Sequence, residues 1–201
     1  MGYVILLLVG LLAAYFVLRR PKAASLAALP ERFVVFDLET TGLDPLKHEI
    51  IEIGAIRVNR DSSQHESFQG LVKPTKKLPA KITDLTGITQ AMLESEGEPI
   101  SKALSEFVAF VGELPLVAFN AEFDMAFLQA AARQNSITIQ NPVSCALKMA
   151  RRAWPGRKSY RLTDLAKDGN LSQDGTHRAL SDCKRTLTVY AAAAEILRSA
   201  S

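Results

Sequence analysis

The chain has 201 residues, of which 24 are basic and 21 acidic, and 48% are apolar. That balance excludes a disordered chain, a collagen-like repeat and a disulfide scaffold, and its two cysteines, Cys145 and Cys183, read as reduced packing residues. A net charge of +3 permits nucleic-acid binding without requiring it.

Residues 1–18 carry no charged side chain. As a helix they reach about 27 Å, close to the ~30 Å of a bilayer's hydrocarbon core, so a spanning anchor is expected. Arg19, Arg20 and Lys22 follow at once and should stay cytoplasmic, leaving the N-terminus outside. A cleaved signal peptide competes, with Ser25-Leu26-Ala27 as a small-x-small site, but the leading residues lack Lys and Arg. Residues 19–30, Ala-rich with Pro21 and Pro30, read as a linker, and residues 31–199 as one domain. The expected location is the cell inner membrane, single-pass, with the domain in the cytoplasm.

Phe33-Val34-Val35-Phe36 predicts a short strand buried on both faces. Thr40 to Pro45 is turn chemistry, and strands over 50–58 and 67–72 complete an antiparallel meander. Apolar residues at 100, 104, 107, 108 and 111 predict a helix, and 116–119 a second buried strand. Helices are expected over 121–133, around Leu162 and Leu165, and over 178–198. Strands first, then helices alternating with buried strands, give an α/β domain with a mixed sheet.

Three groups of residues carry chemistry. Asp37 and Glu39, two apart at the end of the first strand, share one face of it and repel unless a cation lies between them. If the strand has already ended there, both are simply solvated. Asp124 follows Asn120 by one helical turn; alone it reads as a first-turn acid complementing the helix dipole. His177 and Asp182 would diverge by about 140° were both helical, so His177 is expected in the Gly175-Thr176 loop, reaching back towards Asp182. Alone, it reads as a cap.

Taken in order, Asp-x-Glu at 37–39, Asn-x3-Asp at 120–124 and His-x4-Asp at 177–182 resemble the DEDD (DnaQ-like) 3′-5′ exonuclease superfamily, in its DEDDh branch. Ile51-Glu52-Ile53-Gly54-Ala55, Leu71-Val72-Lys73-Pro74 and Thr86-Gly87-Ile88-Thr89 extend the resemblance, which runs from Phe33 to Leu197. It implies a ribonuclease H-like mixed sheet flanked by helices. It also implies two Mg²⁺ or Mn²⁺ ions on Asp37, Glu39, Asp124 and Asp182, a donor set that suits hard cations. By the same resemblance His177 is the base that takes a proton from water, a task suited to an imidazole. Thr40, Thr41 and Leu43 would meet the terminal nucleotide, although they also fit an ordinary tight turn, and Asn120 would order the site. Relatives often have His where this chain has Phe119 and Thr86; the second difference removes a contact to the nucleotide.

Arg151 to Leu162 holds five basic residues, Trp154 and Tyr160, a composition that can track a phosphate backbone and stack on bases. It also fits a solvated loop or a contact with anionic lipid. Its Arg-x3-Pro-Gly spacing resembles the polymerase III epsilon-type proofreading enzymes. The expected activity is removal of 5′-mononucleotides from the 3′ ends of single-stranded DNA, with a polymerase as a candidate partner. The alternatives are an oligoribonuclease- or RNase T-like enzyme on RNA, a phosphoesterase on short oligonucleotides, and a silent membrane-tethered nucleic-acid-binding module.

Overall fold

The computed structural model describes residues 29–168 and 177–200. The expected anchor over 1–18, nearly all of the linker, and Gly175-Thr176 lie outside the described residues. Among the described residues no helix is long and apolar enough to cross a membrane.

Five strands form one mixed sheet in the order β3-β2-β1-β4-β5. They are β1 (Arg32–Thr40), β2 (Ile50–Asn59), β3 (Glu66–Leu71), β4 (Leu116–Ala118) and β5 (Val143–Cys145). The first three make the expected antiparallel meander, while β4 and β5 run parallel to β1 and its neighbour. The helices are α1 (Ala80–Thr86), α2 (Gln90–Ser95), α3 (Ile100–Val111), α4 (Ala121–Gln134), α5 (Ala146–Ala153), α6 (Leu162–Asp168) and α7 (Ala179–Ser199).

Alternation along β1 divides the core. Val34, Phe36 and Leu38 pack with Leu104 and Phe107 of α3 and with Phe127 and Leu128 of α4. Phe33 and Val35 point the other way, onto Ala146 of α5 and Cys183, Tyr190 and Ala191 of α7. Asp37 and Glu39 continue the second series, so their face is the one that α7 covers. Close approach of α7 depends on Gly54 of β2, which pairs with Asp37: a Cβ there would lie 2.6 Å from the backbone of Ala179 and Leu180.

Three sequence expectations change. β1 continues through the dyad to Thr40 instead of ending at it, because β2 pairs with it to the end. α1, α2, β5 and α5 are additional elements. Trp154 and Tyr160 pack with Ala150, Leu165 and Val189, and the Tyr160 hydroxyl donates to the Trp154 carbonyl, so these half-buried rings also serve the core. Both cysteines are free thiols, as expected.

Candidate active site

The site lies where β1 and β4 end and α4 and α7 begin. Spacing of two along β1 puts Asp37 and Glu39 on one face, and a shift in pairing with β2 falls between Glu39 and Thr40. An extra residue on the opposing strand at such a place bends the ladder and re-aims its side chains. Asp182 stands in the first turn of α7, over the same face. Asp37, Glu39 and Asp182 each offer a carboxylate oxygen, and these oxygens all lie within 4.8 Å of one another.

Asp124 is not part of that triplet, but it is buried beside it, 3% exposed at the start of α4. It is the first-turn acid that its sequence position suggested, and the fold buries it as well. The phenylalanine face of α4 packs inward, and Asp124 comes down over the end of β1, where the backbone N–H of Leu38 stabilises its charged form.

Burial sets the electrostatics of the group. Glu39, 9% exposed, has its carboxyl pushed up to about 8 by desolvation and then by Asp182, Glu52 and Asp124. Desolvation raises Asp124 to about 7. Asp37 is raised well above the ordinary carboxylate range, by burial first and by the charges of Asp124, Glu39 and Asp182 after it. Glu39, Asp124 and Asp37 thus favour their protonated forms in the fold unless cations replace the protons. An all-carboxylate donor set of this kind fits hard divalent ions such as Mg²⁺ or Mn²⁺.

His177 lies just ahead of α7 with its side chain 43% exposed, and its Nδ1 stands 3.2 Å from Asp182 Oδ2. It reaches back towards Asp182 as its position before the helix required. The other oxygen of Asp182 accepts from buried Arg185 at 2.5 Å.

The turn after Glu39 is tightly bonded. Thr40 Oγ1 donates to the Gly42 carbonyl, and Thr41 Oγ1 accepts from the Glu49 N–H and contacts His48 Nδ1. Both threonines are buried, so their hydroxyls serve the turn. Leu43 projects from it 82% exposed, with Leu46 similarly bare beyond. Asn120 is exposed; its carbonyl accepts from the N–H groups of Phe123 and Asp124 and so starts α4, while its side chain makes no hydrogen bond among the described residues. Thr86 is buried, donating to the Ile82 carbonyl and accepting from the Ile88 N–H at the end of α1.

Sequence reasoning attached no function to Glu52 or to its partner Arg178. The signal was present: a carboxylate between Ile51 and Ile53 in the apolar first half of β2.

Residues 34–190 match the RNase T family model, described as an exonuclease. The chain is 40% identical over 160 residues to the DNA polymerase III subunit epsilon of Aquifex aeolicus, covering 79% of this chain and 78% of that protein. It is 39% identical over 160 residues to the PolC-type DNA polymerase III of Clostridium perfringens, covering 79% of this chain but only 11% of that much longer protein. Among solved structures, a zinc-bound complex of E. coli exonuclease I with single-stranded DNA superposes with a TM-score of 0.70 at 20% identity, over 86% of this chain and 41% of that one. That likeness bears on the fold alone.

Proposed function

The chain belongs to the RNase T (DnaQ-like) exonuclease family, and from that premise we propose that it is a metal-dependent 3′-5′ exonuclease that releases 5′-mononucleotides from single-stranded DNA. The observation that carries this reading is the triplet of oxygens from Asp37, Glu39 and Asp182 with Asp124 buried behind them and His177 at their edge. Asp37, Glu39, Asp124 and Asp182 would hold two Mg²⁺ or Mn²⁺ ions. When bound, such ions supply Lewis acidity to a phosphodiester and offset charge on the departing 3′ oxygen.

The chain's own residues do the remainder. His177, half exposed at the mouth, takes the proton of the attacking water, and its contact with Asp182 orients the ring. Leu43, bare on the turn, packs on the terminal base, while the backbone of Thr40 and Thr41 lies along its sugar-phosphate. Asn120 fixes the start of α4 and thereby the height of Asp124.

DNA is favoured over RNA because the epsilon subunit, matched over 78% of its length, belongs by name to a DNA polymerase. Exposed Lys148, Arg151, Arg152, Lys158 and Arg161 give a strand a basic surface to follow. Residues 1–18 tether the domain (31–199) to the inner membrane with the active site on the cytoplasmic side, where it trims 3′ ends in proofreading or repair, with or without a polymerase partner.

Incubation of 3′-labelled and 5′-labelled single strands, in DNA and RNA versions with Mg²⁺, tests the reading. The 3′ label should be freed at once as a mononucleotide while the 5′ label passes through a descending ladder. A ladder from the 3′-labelled strand and a mononucleotide from the 5′-labelled one would reverse the assigned polarity, and faster loss of RNA would reassign the substrate.

A further inference from the structure

Glu52 is wholly buried in the middle of β2, with Ile51 and Ile53 as its neighbours in the chain. Its carboxylate accepts from Gln69 Nε2 at 2.8 Å, from Arg178 Nε at 3.1 Å and Nη2 at 2.7 Å, and from the Ala179 N–H at 2.9 Å. Arg178 is the N-cap residue of α7, yet its side chain makes no cap bond to its own helix. The cap comes instead from Glu52, which accepts from the Ala179 N–H across 127 residues of chain.

The residues on either side of Arg178 belong to the site. His177 precedes it and donates its N–H to the Leu85 carbonyl at the end of α1. Asp182 lies one turn on and donates its N–H to the Arg178 carbonyl at 3.0 Å. The same backbone residue is therefore bonded through its side chain to β2 and through its carbonyl to the turn bearing Asp182. The register, in turn, pairs Glu52 directly with Glu39.

Stability does not account for this arrangement. A buried ion pair gains little over apolar residues of the same volume. Contact between β2 and α7 is already supplied by Gly54 against Ala179 and Leu180 and by Cys183 beneath them. Apolar contact tolerates sliding, whereas several directional bonds to one carboxylate do not. We propose that Glu52 and Arg178 are positioning residues, whose ion pair sets the register of His177 and Asp182 against Asp37 and Glu39. The proposal rests on the hydrolysis assigned above, which the pair serves without touching substrate.

The test uses the full chain and the paired neutral variant Glu52→Gln/Arg178→Met, which leaves no orphaned charge and so should fold. Its kcat should fall about 10- to 100-fold, the usual effect of removing groups that orient metal ligands. KM should move little, and the ring resonances of His177 should shift while those of His48 and His65 stay in place. Added to His177→Ala, the pair of changes should cost less than when made in the parent, because part of its effect passes through His177. A folded paired variant with parent kcat and an unmoved His177 resonance overturns the proposal. If the paired variant does not fold, Arg178→Lys decides by the same two readouts, since it keeps the charge and loses the fork. A parent chain inactive on every 3′-labelled strand sinks the nuclease reading instead, and the His177 resonance still judges the clamp.

Discussion

Metal-free protein should lose stability as pH rises, the reverse of ordinary acid denaturation. Glu39 in the folded chain holds its proton to about 8 against an ordinary 4.5, and Asp124 to about 7 against 3.8. Between those limits the folded state binds more protons than the unfolded one, and buried Asp37 is raised in the same direction, so the stability of the fold falls as pH rises through this range. At 1.36 kcal/mol per pH unit, Glu39 alone represents about 5 kcal/mol, an upper bound because part of its shift comes from charges that are themselves protonated at low pH. For a domain of this size that corresponds to a drop in Tm of roughly 10–20 °C. Thermal melts in EDTA from pH 5 to 8.5 measure it. Millimolar Mn²⁺ should restore the high-pH Tm, and Glu39→Gln should lessen the slope of the EDTA profile while raising Tm at pH 8, with Asp124 and Asp37 keeping the remainder. A Tm in EDTA that is level or rising from pH 5 to 8 would refute the claim that these carboxyls repel one another inside the fold.

Asp37→Asn, Asp124→Asn and Asp182→Asn should each lower kcat by more than about a hundredfold, beyond what loss of a supporting group costs; near-parent rates in Mg²⁺ remove that residue from the site. His177→Ala should lose about 10²- to 10⁴-fold in kcat while Mn²⁺ titration shows parent affinity. Leu43→Ala, at an exposed position, should leave Tm unchanged and raise KM for oligonucleotides about tenfold, the equivalent of ~1.4 kcal/mol of lost apolar contact. Full-length protein should pellet with membranes and resist carbonate extraction, and a chain starting at Leu29 should be soluble; full-length protein in the soluble fraction removes the anchor.

The elements that were legible in the sequence are those whose burial is periodic. The apolar spacing of 100 to 111 delimits α3 as found, and the valine-phenylalanine run locates β1. α1 and α2, at seven and six residues, are too short to hold as isolated helices, for which about 12 are needed. They depend on the left-handed Gly87 at φ 70° and on the Thr89 side chain accepting from the Met92 N–H. β5 has three residues and an exposed Val143, and becomes a strand only through pairing with β4. The site residues were found by motif order, but not all their environments were. Helical spacing left Asp124 at the margin of the buried face, and only the end of β1 above it shows that it is covered. Trp154 and Tyr160 show a related limit: composition marks the rings but not that part of each packs on Ala150, Leu165 and Val189.

The distribution of cations among the acids separates the site's two kinds of carboxylate. Glu52 has Arg178, and Asp182 has Arg185, each an arginine supplied by the chain. Asp37 and Glu39 have no ion pair among the described residues, although they are the two on the central strand and both are raised by burial. A fold that can place an arginine beside Glu52 could place one beside Glu39, its direct partner in the ladder. Arg178, bonded to Glu52, lowers the Glu39 carboxyl less than burial and the neighbouring carboxylates raise it. Leaving Asp37 and Glu39 without an ion-pair partner of their own costs stability in the metal-free chain, and it leaves room for cations that can be exchanged. The pH dependence of the metal-free fold and the loss of activity in Asp37→Asn are thus two measurements of one feature. If Asp37→Asn abolished activity while the EDTA melts showed no pH slope, the carboxylates would be ligands without being strained.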